Sequence, residues 1–309
     1  MSTIRLLAVL VLLPLAASGD TIRPAAIRED ARAGRRPKID LKGELTISAS
    51  FDGETVSSPN VIGVLPGSDP QRKNEYLVYT AHLDHVGVAE PVNGDAIYNG
   101  AFDNASGVAG LLEIARAFAA LSERPKRSIL FLAVTAEEAG LLGSDYFANQ
   151  PTVPLEGIVA NLNIDGINVL YPPADTVALG VDNSTLGDHA RAAAKFVGLE
   201  LSPDPWPQEN FFIRSDQYSF VRVGVPALFS MPGQKSTDPA VDAKKALDDW
   251  LATHYHTPSD DMAQPFHYEG GARLAGFHFL TGLSVANAAE RPAWKRGDFF
   301  GEMFGRKGR

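Results

Sequence analysis

The chain contains no cysteine. Disulfides are therefore excluded as a source of stability even for an exported protein, and so is a lipid anchor attached through a thiol. Positive charge is also short: 28 Lys and Arg stand against 37 Asp and Glu, a formal net charge of −9. That balance argues against general nucleic-acid binding, which needs a basic face to displace counterions. A small molecule or a peptide is the expected partner. A membrane span takes about 20 apolar residues. The apolar run from Leu6 to Leu15 falls short of that, being followed by small residues and closed by Asp20 and Arg23. No internal repeat and no low-complexity tract is present.

Arg5, the run to Leu15 and the small residues Ala16, Ala17, Ser18 and Gly19 read as a cleavable export signal over 1–18. A periplasmic or secreted location without a stable membrane anchor is expected. Residues 19–43 are rich in Arg, Asp and Pro and lack periodicity, as in a poorly ordered leader. Residues 44–290 form the expected catalytic domain. A chain of 309 residues, 45% of them apolar, can bury one large α/β core. Residues 291–309 mix Arg and Lys with Phe299, Phe300 and Phe304 and read as a loosely packed tail.

Short β-rich runs at 44–50, 60–66 and 76–81 are separated by Gly, Pro, Asp and Asn turns. Further strands are expected at 128–135, 157–164, 175–180 and 226–230. Val108, Leu111, Leu112, Ala115 and Phe118 recur at helical spacing, predicting a helix over 104–121 with one apolar face. Other helices are expected at 140–149, 184–197, 215–222, 240–252 and 268–289. The run SILFLAVT at 128–135 is apolar on both faces, as a central strand covered by helices must be. The fold class is α/β, with a mixed, largely parallel central sheet flanked by helices on both faces.

Five stretches carry the chemistry: AHLDH at 81–85, AFDNASG at 101–107, the pair Glu137 and Glu138, NID at 163–165 and YHTPSD at 255–260. His82, Asp103, Glu138, Asp165 and His256 together offer nitrogen and oxygen donors of the kind that suits zinc. One shared carboxylate would leave two donors for each of two ions. Two zinc ions exceed three carboxylates by one positive charge, so a bound hydroxide would neutralise the cluster. Glu137 is the spare carboxylate. Asp84 can orient His82 by accepting its other ring N–H.

Each stretch also has a plain structural reading. Asp103 can be an N-cap, the glutamates a solvated pair at a helix start, Asp165 a turn residue before Gly166, and His256 an exposed loop residue. Arg214 and Asp216, in RSDQYSF, can line a cleft or simply begin a helix. Trp206, Phe211 and Phe212 can shape an apolar subsite, although core packing is the simpler expectation.

Taken in order, SPNVIGVLPG, YTAHLDH, GAFDNASGVAGLLEIAR, ILFLAVTAEEAGLLGS, ANLNIDG, RSDQYSF, GVPAL and YHTPSD resemble the co-catalytic di-zinc aminopeptidases, which include the bacterial leucyl aminopeptidases and the glutamate carboxypeptidase II superfamily. The match covers roughly 58–288. It implies the zinc exopeptidase fold, two zinc ions and peptide substrates. By this resemblance His82 and Asp165 hold one ion, Glu138 and His256 the other, and Asp103 bridges them. Glu137 is implied as general base for a metal-bridging hydroxide, and Tyr255 as the residue that binds substrate and steadies the oxyanion. A cis peptide between Asp103 and Asn104 is also implied. His85 stands where many relatives carry a small residue, and is expected behind the ligands or at the surface. Too few residues precede the core for the inserted domain that many relatives carry. The implied activity is removal of an N-terminal residue, with a carboxypeptidase or dipeptidase on the same ions as the alternative. A glutaminyl-cyclase-like transferase fits less well, and a non-catalytic binding protein on this scaffold would be expected to lack ligands.

Overall fold

The computed structural model describes residues 55–306. The export signal, the leader and the strand expected at 44–50 lie outside the described residues. Nine strands occur among the described residues: β1 (Val61–Leu65), β2 (Tyr76–His82), β3 (Gly87–Val92), β4 (Asp95–Tyr98), β5 (Ser128–Val134), β6 (Ile158–Ile164), β7 (Asp175–Leu179), β8 (Glu200–Ser202) and β9 (Ala227–Pro232). Seven of them make the central sheet in the order β1-β5-β2-β6-β9-β7-β8, and β3 and β4 pair separately. The middle of the sheet, β5-β2-β6-β9, is parallel. Antiparallel pairings of β1 with β5 and of β7 with β9 flank it, and β8 runs parallel to β7.

The helices are α1 (Gly107–Ala119), α2 (Leu142–Asn149), α3 (Leu186–Val197), α4 (Gln217–Arg222), α5 (Ala243–Thr253), α6 (Tyr268–Asn287) and α7 (Phe299–Phe304). The alternation of β2 decides how they are arranged. Leu77, Tyr79 and Ala81 face one cluster with Leu111, Ile114 and Phe118 of α1, Ala190 of α3 and Phe277 of α6. Val78 faces the other side, where Leu130, Leu132 and Val134 of β5 meet Phe147 of α2 and Phe220 of α4. Both sheet faces are dry, so the central strands read as continuous apolar runs rather than as alternating ones.

Parallel strands bring their carboxyl ends to one edge, where open α/β sheets build their sites. His82 is the last residue of β2, Asp165 follows β6 directly, and Glu137 and Glu138 lie just beyond β5. The registers of β5 and β6 against β2 therefore deliver three of the five motif stretches to one place.

Three elements were not anticipated. The β3–β4 hairpin turns at Asn93 and Gly94, with φ of 52° and 90°, the pair of left-handed residues that an Asn-Gly turn supplies. Strand β8 is only three residues long. Helix α7 falls in the segment expected to be a loose tail. Asp298 caps it by accepting from the Gly301 amide at 2.9 Å, and Phe300 sits edge-on to Phe212 at 5.1 Å.

Tyr79 donates a hydrogen bond to the His278 carbonyl at 2.7 Å, and a Cβ on Gly282 would collide with the same hydroxyl. Gly282→Ala is expected to lower stability by about 1–3 kcal/mol through overpacking. Adding Tyr79→Phe, which removes the obstructing atom, should recover part of that loss. Urea melts of the two single variants and the double variant test this; simple additivity would contradict the close contact.

Candidate metal centre

The motif residues converge around the carboxylate of Asp103. His82 is 1% exposed, and its Nε2 lies 3.3 Å from Asp103 Oδ1 and 3.1 Å from Asp165 Oδ1. On the other side, His256 Nε2 lies 3.2 Å from Asp103 Oδ2 and 3.2 Å from Glu138 Oε1. The two oxygens of Asp103 thus face two different imidazoles. Potential ligand atoms form two groups, one from His82, Asp103 and Asp165, the other from His85, Asp103, Glu138 and His256. Within each group the atoms lie within 4.8 Å of one another. Glu138 Oε1 and both ring nitrogens of His85 are buried without a hydrogen-bond partner. Nitrogen and oxygen donors aimed at a shared space, some of them unpaired, fit divalent first-row ions.

Backbone contacts hold these side chains in place. Asp103 lies in the kinked turn Ala101–Ser106, and the Asp103–Asn104 peptide is cis. The buried carboxylate of Asp260 accepts from the amides of Phe102, at 2.9 and 3.1 Å, and Asp103, at 3.0 Å. The Asp260 carbonyl accepts from Ala101. Asn104 accepts from the Gly166 amide at 2.8 Å and donates to the Ile164 carbonyl at 3.0 Å, which fastens the Asp103 turn to the Asp165 loop. Ser215 donates to Asp165 Oδ2 at 2.6 Å and itself accepts from Asn163. Beyond β5 the chain enters the left-handed region at Ala136, φ 56°, so Glu137 and Glu138 are freed from the two-sided geometry of a strand.

Several expectations need correction. Asp84 does not orient His82 through its carboxylate, which is 3.9 Å from Nδ1; its main-chain carbonyl takes that contact at 3.0 Å. The Asp84 carboxylate accepts instead from the amides of Glu137 and Glu138, at 3.1 and 3.3 Å. Asp216 does not line a cleft: at 0% exposure it cannot touch a substrate. Arg214 does border the cavity, with its guanidinium 5.0 Å above the Phe211 ring. Trp206 and Phe211 line the same cavity and also pack against small apolar clusters, as expected, whereas Phe212 packs beside Phe211 and turns towards Phe300. His85 is buried beside Glu138, which agrees with one of its two expected placements and not with the surface one. Its side chain is 7% exposed, and Nδ1 is 3.0 Å from Glu138 Oε1. Sequence reasoning also passed over Asp260, although it stands inside the YHTPSD stretch.

The cavity over these groups holds about 270 Å³ and is lined by Asp103, Glu137, Glu138 and Asp165 together with apolar residues such as Met231 and Trp250. Tyr255 borders it and stacks on the His256 ring at 3.9 Å. A larger cavity of about 700 Å³ between α1 and α6 is lined by residues such as Ala109, Gly110 and Ala275, and carries none of the donors. The chemistry belongs to the smaller one.

The sequence pattern of Peptidase family M28 matches residues 60–274, a span that contains every donor named above. The chain belongs to Peptidase family M28. It is 29% identical over 250 residues to leupeptin-inactivating enzyme 1 of Streptomyces exfoliatus, covering 76% of this chain and 52% of that protein. It is 27% identical over 220 residues to aminopeptidase YwaD of Bacillus subtilis, covering 69% of this chain and 41% of that one. The aminopeptidase from Aneurinibacillus sp. strain AM-1 shares the fold, with a TM-score of 0.55 and 22% identity over 75% of this chain and 49% of that structure. The chain spans about half the length of the relatives it matches.

Within this M28 site burial and neighbouring charges shift the titratable groups in opposite directions. Burial disfavours the charged form of both histidines, but nearby carboxylates win. Asp165 and Asp103 hold His82 well above the ordinary imidazole range, and Asp103 and Glu138 raise His256 to about 10. Burial, with Asp165 adding to it, pushes Glu137 up to about 9 against the opposing pull of His82. Burial also raises Glu138, yet the adjacent His256 and His85 bring it down to about 2.

Cations bind neutral imidazole and ionised carboxylate, so loading this site at pH 7 must displace protons. Calorimetry in buffers of different ionisation enthalpy should show net proton release, and metal affinity should fall as pH is lowered. Absence of release at pH 7 would contradict the raised values. Asp260→Ala strips the clamp from two buried amides, and hydrogen bonds to a charged group contribute about 1.5–3 kcal/mol each. A comparable loss of stability in chelated protein, together with reduced metal content by elemental analysis, is the expected result.

Proposed function

We propose that this chain is an exported, zinc-dependent aminopeptidase that removes an N-terminal residue, preferably apolar, from peptides. The observation that carries the reading is a pair of donor groups sharing Asp103, with Glu137, a further carboxylate, bordering the same cavity. In this reading His82, Asp103 and Asp165 hold one zinc ion, and Asp103, Glu138 and His256 hold the other. When bound, the ions lower the pKa of water and polarise the scissile carbonyl.

Glu137 takes a proton from the attacking water and delivers it to the leaving amine. Its buried position, with Asp165 nearby, makes it a stronger base than a solvated carboxylate. Burial, reinforced by Asp103 and Glu138, holds the Tyr255 phenol well above its ordinary range. It therefore stays protonated and can donate to the developing oxyanion, a contribution of about 3–4 kcal/mol in comparable sites. Asp103, Glu137, Glu138 and Asp165 make the floor acidic, which favours a substrate's free ammonium group. Trp206, Phe211, Met231 and Trp250 supply an apolar wall for its first side chain.

The residues at 1–18 support export to the periplasm or medium. No helix among the described residues is long and apolar enough to cross a membrane. Arg214 at the cavity wall favours a second reading, a carboxypeptidase or dipeptidase in which the guanidinium meets a substrate carboxylate.

Free and N-acetylated aminoacyl anilides separate these readings. The aminopeptidase should cleave only the free amines, and equal cleavage of both would reject it. Glu137→Gln should lose about 10²–10⁴-fold in turnover while retaining its metal. Activity like that of the wild type in this variant would sink the assignment of the base.

A further inference from the structure

We infer that His85 is itself a metal ligand, so that the two positions flanking Asp103 are unequal, one offering three protein donors and the other four. The inference rests on the two-ion reading above. The His85 side chain is 93% buried, being 7% exposed, and neither of its ring nitrogens has a hydrogen-bond partner. Such a ring is costly unless something outside the protein satisfies it. Nδ1 lies 3.0 Å from Glu138 Oε1, and the same oxygen lies 3.2 Å from His256 Nε2. Bonds of about 2.0 Å from a tetrahedral ion set donors about 3.3 Å apart, so these separations suit donors around one ion.

The rest of the ring's surroundings agree. His85 meets the His256 ring edge-on, with centroids 5.4 Å apart and planes at 81°. Gly100 forms its seat: a Cβ there would stand 2.6 Å from His85 Cγ and 2.8 Å from its Cβ. Gly100 has φ 65°, which favours glycine independently. A hydrogen bond from Nδ1 to Glu138 would be the competing role, but the two atoms approach without the alignment that one needs. His85, Asp103, Glu138 and His256 then form a closed four-donor set of two nitrogens and two carboxylates. His82, Asp103 and Asp165 leave a coordination place open on the other side. The closed set is the tighter of the two and fills first.

Full-length protein, stripped with chelator and reloaded with Co²⁺, tests this. Competition with a chromophoric chelator should give two binding steps at least about tenfold apart. With one equivalent bound, proton NMR should show two hyperfine-shifted, exchangeable histidine N–H signals, from His85 and His256. A single such signal would overturn the inference without recourse to any variant. His85→Ala should weaken the tighter step by more than about 100-fold, beyond the 10–100-fold usual for a residue that only positions a ligand. His85→Asn keeps a donor but is a poor metal ligand. Recovery of tight binding in that variant would make His85 a positioning residue and overturn the proposal. If wild-type protein binds one ion only, the two-ion reading fails. Two ions bound with His85→Ala unaltered would defeat this inference alone.

Discussion

Repulsion among carboxylates is the constraint on which the rest of this structure depends. Asp103, Glu137, Glu138 and Asp165 border one small cavity, with Asp216 buried nearby. Such a cluster persists only if other parts of the fold hold it together. Two further acids serve that purpose, each bound to peptide N–H groups. Asp84 binds the amides of Glu137 and Glu138, and Asp260 those of Phe102 and Asp103. Charge-assisted hydrogen bonds of this kind are stronger than neutral ones and fix backbone as well as side chains.

The same repulsion explains the unusual proton affinities. In a low-dielectric pocket, negative charge gathers whatever positive charge is near. Two imidazoles raised above their ordinary value are one answer to it. A divalent ion does the same with greater charge density and fixed directions. The buried atoms of Glu138 and His85 that lack hydrogen-bond partners lie beside this charge.

Much of the fold was legible because it follows from periodicity. The run at 128–135 has a continuous apolar pattern that only a doubly covered strand can bury, and it became β5 at Ser128–Val134. The Asn93–Gly94 turn was equally open to reading, but the residues around it are mostly exposed and give a weak strand pattern. At the site, residue types and order pointed to side chains that the fold does bring together, while contacts set by the path of the backbone stayed hidden. Whether Asp84 acts through its carbonyl or its carboxylate depends on where the chain turns after β2. Asp260 acts on amides 157 and 158 residues away, a pairing that no local pattern encodes. Arg214 and Asp216 are two residues apart, yet the start of α4 buries one and exposes the other. Phe211 and Phe212 part company in the same way within a single short turn.

The stretch from His256 to Asp260 presents one donor and also secures the peptide that carries the shared carboxylate. Those five residues work as a gauge: altering their length would misplace two of the proposed ligands, His256 and Asp103, at once. Trp206 and Phe211 belong to neither donor group and are held by apolar packing instead. On the proposed reading the segment that carries them sets the fit of the substrate side chain while the ion cradle is set elsewhere, so diversification and chemistry occupy separate parts of the chain.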